Sequence, residues 1–560
     1  MVKVQTEEKK CIWMTNKKII VVTLLVFALS FSYLQIKACT NLLVSSGASE
    51  DGSAMITYLA DSHELYGELY FKPARDYPEG TMMDIYEWDT GKYLGQIPQA
   101  RHTYRVVGSM NEYQVTIGET TYGGRPELAD STALIDYGSL MWIALQRSKT
   151  AREAIHVIDD LLQKYGYYSE GESFSIGDPN EVWIMEIIGK GPDEKGAVWV
   201  ARRVPDGYIS GHANQSRIRQ FPLDDPENCL YAKDVISFAK KKGYYKGKDK
   251  NFSFADAYAP LTYGALRFCE GRVYSMFNRA APSLHLSMDY VKGVEGAEPL
   301  PLWVKPDKKL SVHDVMQLMR DHFEGTDWDM TKDVGAGPYK LPYRWRPLTW
   351  EVDSVEYCNE RAISTQQTGF SFVSQMRSWL PNQIGGVFWF GVDDTYSTCY
   401  APMYCGITRV PEAYAEGNGD MMHFTWKSAF WVFNFVSNFA YLRYSDMIVD
   451  IQKVQKKLEG EFIAFQPAVD SAALQLYNSN PELSQEFLTN YSVEQGTMVV
   501  NTWRKLGEHL LVKYMDGNVK DDNGNLSQPG YPPSWYHRIV KETGDHFKMK
   551  KLKGEQEQSH

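Results

Sequence analysis

The chain has 560 residues, enough for one elaborate domain with extensions or for two to three ordinary domains. With 43% hydrophobic and 23% charged residues, it fits neither a mostly disordered chain nor a protein threaded repeatedly through a membrane. The net charge of -11 and the lack of a Lys/Arg block in the main body argue against nucleic acid as a partner.

At the N-terminus, Lys17-Lys18 precede an apolar run from Ile19 to Ile36, and Lys37-Ala38-Cys39 follow. That is the pattern of an export signal, so the protein is expected outside the cytoplasm, periplasmic or secreted. Thr23, Ser30, Ser32 and Gln35 interrupt the run, which favours a removed signal peptide over a retained anchor. A cysteine directly after a signal is also where a lipoprotein carries its acyl chains, so a lipid-anchored chain is a competing reading, although Lys37 fits a lipidation site poorly. Ile36 makes an equally poor small-residue cleavage site and leaves self-cleavage open. Residues 1–38 are read as a signal peptide or propeptide.

Thr40 to Val44, a turn at Gly47 to Gly52, and Ala54 to Tyr58 read as a β-hairpin, with Cys39 at the start of its first strand. The apolar segment Leu134 to Leu145 predicts a helix. Thr150 and Glu153 form a capping-box pattern before a second one, whose apolar face is Ala154, Ile155, Ile158, Leu161 and Leu162 and whose end is near Gly166. Phe174–Ile176, Val182–Ile188, Ala197–Arg202 and Tyr208–Ala213 read as short strands separated by turn residues such as Asp178-Pro179-Asn180. Strands joined by tight turns, with helices segregated from them, predict an α+β fold with antiparallel sheets. From Phe424 to about Tyr514 the pattern is helical, and the aromatic stretch Phe430 to Tyr444, which contains Asn434, Ser437, Asn438 and Arg443, reads as a packed helix rather than a membrane span. The expected organisation is a main domain over 39–425, a helical C-terminal region over 426–541 and a polar tail over 542–560.

Seven cysteines occur, at 11, 39, 229, 269, 358, 399 and 405. With Cys39 kept as a free thiol, the five others beyond residue 38 allow at most two bridges, and Cys399 and Cys405 are either bridged or buried and reduced. There is no Gly-rich phosphate loop, dinucleotide fingerprint, G-x-S-x-G elbow or H-E-x-x-H pair, so neither a metal nor an organic cofactor is expected. His313 and His322 read as solvated, Asp521 to Gly524 as a surface turn, and Glu119 and Glu186 as exposed or paired strand carboxylates.

Cys39 stands out by its position. Once the bond after Ala38 is cut, one residue carries both a thiol and a free amine, with ordinary pKa values of roughly 8.5 and 7.7 to 8.0, so the amine can take the proton of its own nucleophile. Before cleavage that nitrogen is an amide and cannot act as a base. Processing would thus switch on a cysteine nucleophile with no histidine needed.

Cys39-Thr40-Asn41-Leu42-Leu43-Val44, Asp51-Gly52-Ser53 and Asp61-Ser62 resemble the mature start of the dipeptidase A family of N-terminal-nucleophile cysteine peptidases. Further ordered matches are Met110 to Val115, Gly118 to Thr121, Val182-Trp183 with Glu186, Gly211 to Gln215, Arg320 to Thr326 with Asp329, and Tyr400 to Tyr404. The resemblance implies a four-layer αββα sandwich and hydrolysis of dipeptides or short peptides through a thioester acyl-enzyme. It also implies Cys39 as nucleophile and base, and Asp61 as the residue that orients the amine. Asn214 matches the oxyanion-stabilising asparagine of the related bile-salt and penicillin amidases, and an amidase acting on N-acyl substrates is the rival activity. Those relatives carry an arginine three residues before the aspartate, where this chain has Tyr58; Arg361 and Arg377 are the candidates to supply that charge. Tyr58, Thr121 and Arg361 are the expected substrate contacts, with Thr121 a second oxyanion contributor. A non-catalytic, lipid-anchored surface protein is the alternative from another class.

Overall fold

The computed structural model describes residues 39–550. The export signal read over 1–38 and the last ten residues of the polar tail lie outside the described residues. The expected hairpin forms: β1 (Asn41–Val44) pairs antiparallel with β2 (Ala54–Asp61). Asp51 shapes the turn by accepting the Ser53 N–H at 3.0 Å. Thr40 and Leu59 exchange backbone hydrogen bonds of 3.2 and 3.0 Å, so the pairing runs up to the residue beside Cys39.

Next come β3 (Thr116–Gly123), β4 (Gly171–Gly177), β5 (Val182–Gly189) and β6 (Ala197–Arg203), with β3 pairing antiparallel with β4, β4 with β5 and β5 with β6. The β4–β5 turn closes as its Asp-Pro-Asn sequence predicts, with Asn180 N–H donating to Asp178 Oδ1 at 2.7 Å. With Cys229–Tyr231 on one edge and Met110–Asn111, Val106–Val107 and Phe71–Lys72 on the other, these strands make an eight-stranded sheet. β7 (Ile209–His212) leaves that sheet and pairs with β1. Beyond β2 lie β8 (Thr368–Met376), β9 (Val387–Val392) and β10 (Ala401–Tyr404), which complete a seven-stranded sheet whose far edge is Trp303–Val304.

The two sheets touch where β1 and β2 meet β3, β4 and β5. Strands there are covered on both sides: every residue of β2, β4 and β8 is buried. Helices α1 (Tyr137–Arg147) and α2 (Ala151–Tyr165) lie against the eight-stranded sheet. Thr150 caps α2 by accepting the Glu153 N–H at 3.2 Å, but the Glu153 carboxylate reaches back to Lys149 N–H, at 2.7 Å, one residue before the expected capping-box partner. On the seven-stranded sheet, α3 (Gly271–Ala280) packs on β7, while α4 (Ala429–Ala440), α5 (Tyr444–Ser479) and α6 (Pro481–Tyr514) pack on β9 and β10.

The helical C-terminal region is bolted to this sheet by buried charge. Arg320 pairs with Glu459 of α5 at 2.6 Å, and Arg377 pairs with Asp470. Phe433 of α4 stacks on Trp503 of α6 at 4.8 Å between ring centroids. Among the described residues no helix is long and apolar enough to cross a membrane. The six described cysteines are free thiols, Cys399 and Cys405 being buried and unbridged. His322 corrects the sequence reading: it is buried between Tyr343 and Tyr396, not solvated, because the loop after Val312–Leu318 turns inward beneath α5.

Candidate active site

Cys39 is 6% exposed at the end of the seven-stranded sheet. Extending the β1–β2 and β1–β7 registers past Thr40 and Asn41 brings the chain around Ala60 to one side of Cys39 and Asn214 to the other. Its Sγ lies 3.5 Å from Glu119 Oε1 on β3 and 3.8 Å from Tyr58 Oη on β2, and Tyr58 donates its hydroxyl hydrogen to Glu119. Tyr58 is held edge-on against Phe370 and Phe372 of β8, at 5.6 and 5.9 Å. Burial pushes the Cys39 thiol well up, and the Glu119 and Asp61 carboxylates add to this; the Asp61 backbone N–H and the Tyr58 hydroxyl pull the other way. With its nitrogen still in an amide, this sulfur is a protonated thiol.

Asp61 ends β2 fully buried. It accepts from Arg361 Nη2 at 2.5 Å and from Thr368 Oγ1 at 2.6 Å. Burial raises its carboxyl, against the pull of the Arg361 guanidinium. Arg361 therefore serves Asp61, and Arg377 stands away from Cys39, on Asp470 and the carbonyls of Ile384 and Gly385.

The cation that does reach Cys39 is Arg272, which the sequence reading missed. It sits on α3 just after a π-helical turn, Ala265–Glu270, and is almost fully buried. Its five N–H bonds meet five acceptors: Nε donates to Phe268 O at 2.7 Å, Nη1 to Cys39 O at 2.6 Å and Thr40 Oγ1 at 2.7 Å, and Nη2 to Ala213 O at 3.0 Å and Asn214 Oδ1 at 2.9 Å. Burial and the neighbouring Arg361 bring Arg272 down to about 10, so it remains charged at neutral pH.

Asn214 follows the end of β7 in the left-handed region, φ 64°, which asparagine tolerates better than most residues. Arg272 fixes its carbonyl oxygen, and its amide donates to Thr121 O at 2.7 Å. The Thr121 hydroxyl donates to Glu172 Oε2 at 2.9 Å, so Thr121 reaches the site through Asn214 rather than directly. Cys39, Tyr58, Asp61, Thr121, Asn214 and Arg361 thus gather within one connected network.

Of the two glutamates read as exposed or paired strand carboxylates, neither is exposed, because their strands are covered on both faces and strand alternation leaves no solvent side; Glu186 is paired. Glu119 borders the thiol. Glu186 does not; it accepts from Ser216 Oγ and the N–H groups of Arg217 and Ile218, fixing the loop after Asn214, and burial pushes it up to about 7. Among the described residues no three His, Cys, Asp or Glu side chains stand close enough to hold a metal ion. A cleft of about 770 Å³ lined by Arg279, Lys308, Asp321 and Lys456 includes none of the residues around Cys39, so chemistry rather than cavity size marks the site.

His212, two residues before Asn214, joins the two sheets: its ring nitrogens lie 2.7 Å from Thr120 Oγ1 and 2.7 Å from Ser175 Oγ. Burial, helped by Arg217, holds it down to about 3 from its ordinary 6.5. The unfolded chain therefore takes up a proton at a pH where the folded one does not. The stability this gives is complete above pH 6.5 and is lost as pH falls toward 3. His212→Gln is expected to flatten the acid decline of the urea midpoint across that window; an equally steep decline would contradict this origin.

Comparison with known proteins agrees with a hydrolytic site. The chain belongs to peptidase family C69, whose pattern matches residues 38–457, and it is therefore a peptidase. It is 26% identical over 420 residues to a probable dipeptidase of Latilactobacillus sakei, covering 71% of this chain and 80% of that one. A probable dipeptidase of Salmonella dublin is 27% identical over 395 residues, 66% of this chain and 81% of its own length. Probable dipeptidase B of Streptococcus pyogenes serotype M1 is 24% identical over 538 residues, 91% of this chain and all of that one.

Proposed function

We propose that the protein is an exported cysteine dipeptidase of the N-terminal-nucleophile type, folded as a four-layer αββα sandwich with a helical C-terminal extension. The observation that carries this reading is the placement of Cys39 at a sheet end, between a buried aspartate, a buried arginine and an asparagine amide, one residue inside the start of the family match. The dipeptidase names of the relatives support the substrate class.

Cleavage before Cys39 converts its amide nitrogen into an amine, which takes the thiol proton. The thiolate then attacks the peptide carbonyl carbon. Oxyanion charge develops near the Asn214 amide, whose remaining N–H is the donor suited to receive it. Collapse expels the amine of the second residue, which takes the proton back from the Cys39 ammonium and leaves a thioester. Water attacks the thioester, giving its proton to the same amine, and the free carboxylic acid departs. Arg272, which donates to the Cys39 carbonyl oxygen at 2.6 Å, supplies positive charge to the residue that becomes the thiolate, a charge that Tyr58 lacks. Asp61, itself locked by Arg361 and Thr368, orients the amine.

The test is a substrate panel with the chain beginning at Cys39. Release of free amino acids from dipeptides is expected. Turnover confined to acylated amides of bile-salt or penicillin type would overturn the dipeptidase assignment while leaving the nucleophile in place.

A further inference from the structure

Glu119 is a buried carboxyl that borders the Cys39 sulfur. Its Oε1 lies 3.5 Å from Cys39 Sγ and accepts the Tyr58 hydroxyl, which fixes the carboxylate toward the sulfur. The residue is 2% exposed, and its carboxyl also meets that of Glu172. Glu172, across from Thr121 in the β3–β4 register, stands beside it, and a hydrogen bond between two carboxyl groups requires a proton held between them. Such a pair with one shared proton still keeps one negative charge buried beside the nucleophile, which a cationic ligand would offset.

A dipeptide brings that charge to this point. Its α-nitrogen is two bonds from the carbon under attack, so it lies about 3 to 4 Å from the attacking sulfur. A carboxylate 3.5 Å from the same sulfur comes within hydrogen-bond reach of that nitrogen when the substrate's N-terminal side faces β3. In an unblocked peptide the nitrogen is an ammonium with three donors; in an N-acyl amide the acyl chain puts a methylene group there. Cys39 supplies its own base through its amine, so the carboxylate is not needed to deprotonate the thiol.

We propose that Glu119, with Glu172 beside it, receives the α-ammonium of the substrate and so restricts the site to peptides with a free N-terminus. The proposal rests on the Cys39 reading above and adds the selecting group to it.

The test compares alanyl-alanine with propionyl-alanine, which lacks only the amine, and with N-acetyl-alanyl-alanine, on the chain beginning at Cys39. The unmodified protein is expected to prefer alanyl-alanine by at least about 100-fold in kcat/KM. Glu119→Gln, nearly isosteric, is expected to bring that preference below about 10-fold, by slowing alanyl-alanine and leaving propionyl-alanine almost unchanged. An equal loss on both substrates in the variant would assign Glu119 to general support of the site and overturn the proposal. Absence of any preference in the unmodified protein would overturn it without a variant, and Glu172→Gln, expected to narrow the preference in the same direction, decides the question where Glu119→Gln does not fold; an unchanged preference in that variant would overturn the proposal. Full hydrolysis by Cys39→Ala would instead remove the nucleophile reading, which the Glu119 ratios do not test.

Discussion

Replacing Cys39 by serine in the mature chain is expected to lower kcat/KM on dipeptides by at least about a thousandfold, with the fold intact. The amine of residue 39 stays in place, and so do the side chains of Asp61, Asn214 and Arg272, which are held by partners other than the sulfur. Only the nucleophile changes, from a thiol that a neighbouring amine can deprotonate to a hydroxyl that the same amine deprotonates poorly. The sulfur's own hydrogen bonds, to Glu119 and Tyr58, are long ones of 3.5 and 3.8 Å, so the melting temperature should move little. Activity within tenfold of the unmodified protein would direct attention to another nucleophile.

Arg272→Lys is expected to be the second most damaging change, although it conserves charge. Five acceptors converge on the guanidinium, and an ammonium has three donors on a single atom, so at least two of Phe268 O, Cys39 O, Thr40 Oγ1, Ala213 O and Asn214 Oδ1 lose their partner in a buried place. Each unpaired acceptor costs about 1–3 kcal/mol, and the loosened Asn214 amide no longer faces a fixed point. A fall in kcat of about 10²- to 10³-fold is expected, with a smaller change in KM, since the oxyanion exists only in the transition state. Stopped-flow or steady-state kinetics on one dipeptide, with a urea titration alongside, checks both parts. Retained kcat with reduced stability would confine Arg272 to a structural role.

The antiparallel sheets were legible because their turns are local. Asp178-Pro179-Asn180 announces its turn within four residues, and Thr150 with Gly166 brackets α2 in the same way. Cys39 draws attention in the sequence by its place after an apolar run, and in the structure it stands beside Glu119, Tyr58 and the Arg272 guanidinium. Arg272 was not legible, because an arginine at the start of α3 has no periodicity or neighbour that marks it; only the third dimension brings β1, β7 and α3 together around it. Glu119 was misread for a related reason. Alternation along a strand distinguishes two faces, but says nothing about whether both are covered, and β3 lies between α1 and the other sheet. Arg361 was found as a residue but not in its relation, since it answers Asp61 from 300 positions away. The departure at Tyr58 resolves in the same terms: the positive charge comes from a helix instead of the same strand, and the phenol contacts a carboxylate on the facing sheet.

The most direct measurement is the mass and N-terminal sequence of purified, active protein. A chain that starts at Cys39, with an unmodified amine and a thiol that reacts with an alkylating agent in step with loss of activity, is the predicted result. Full activity in a polypeptide still continuous through Lys37 and Ala38, or in one whose Cys39 carries acyl groups, would contradict it.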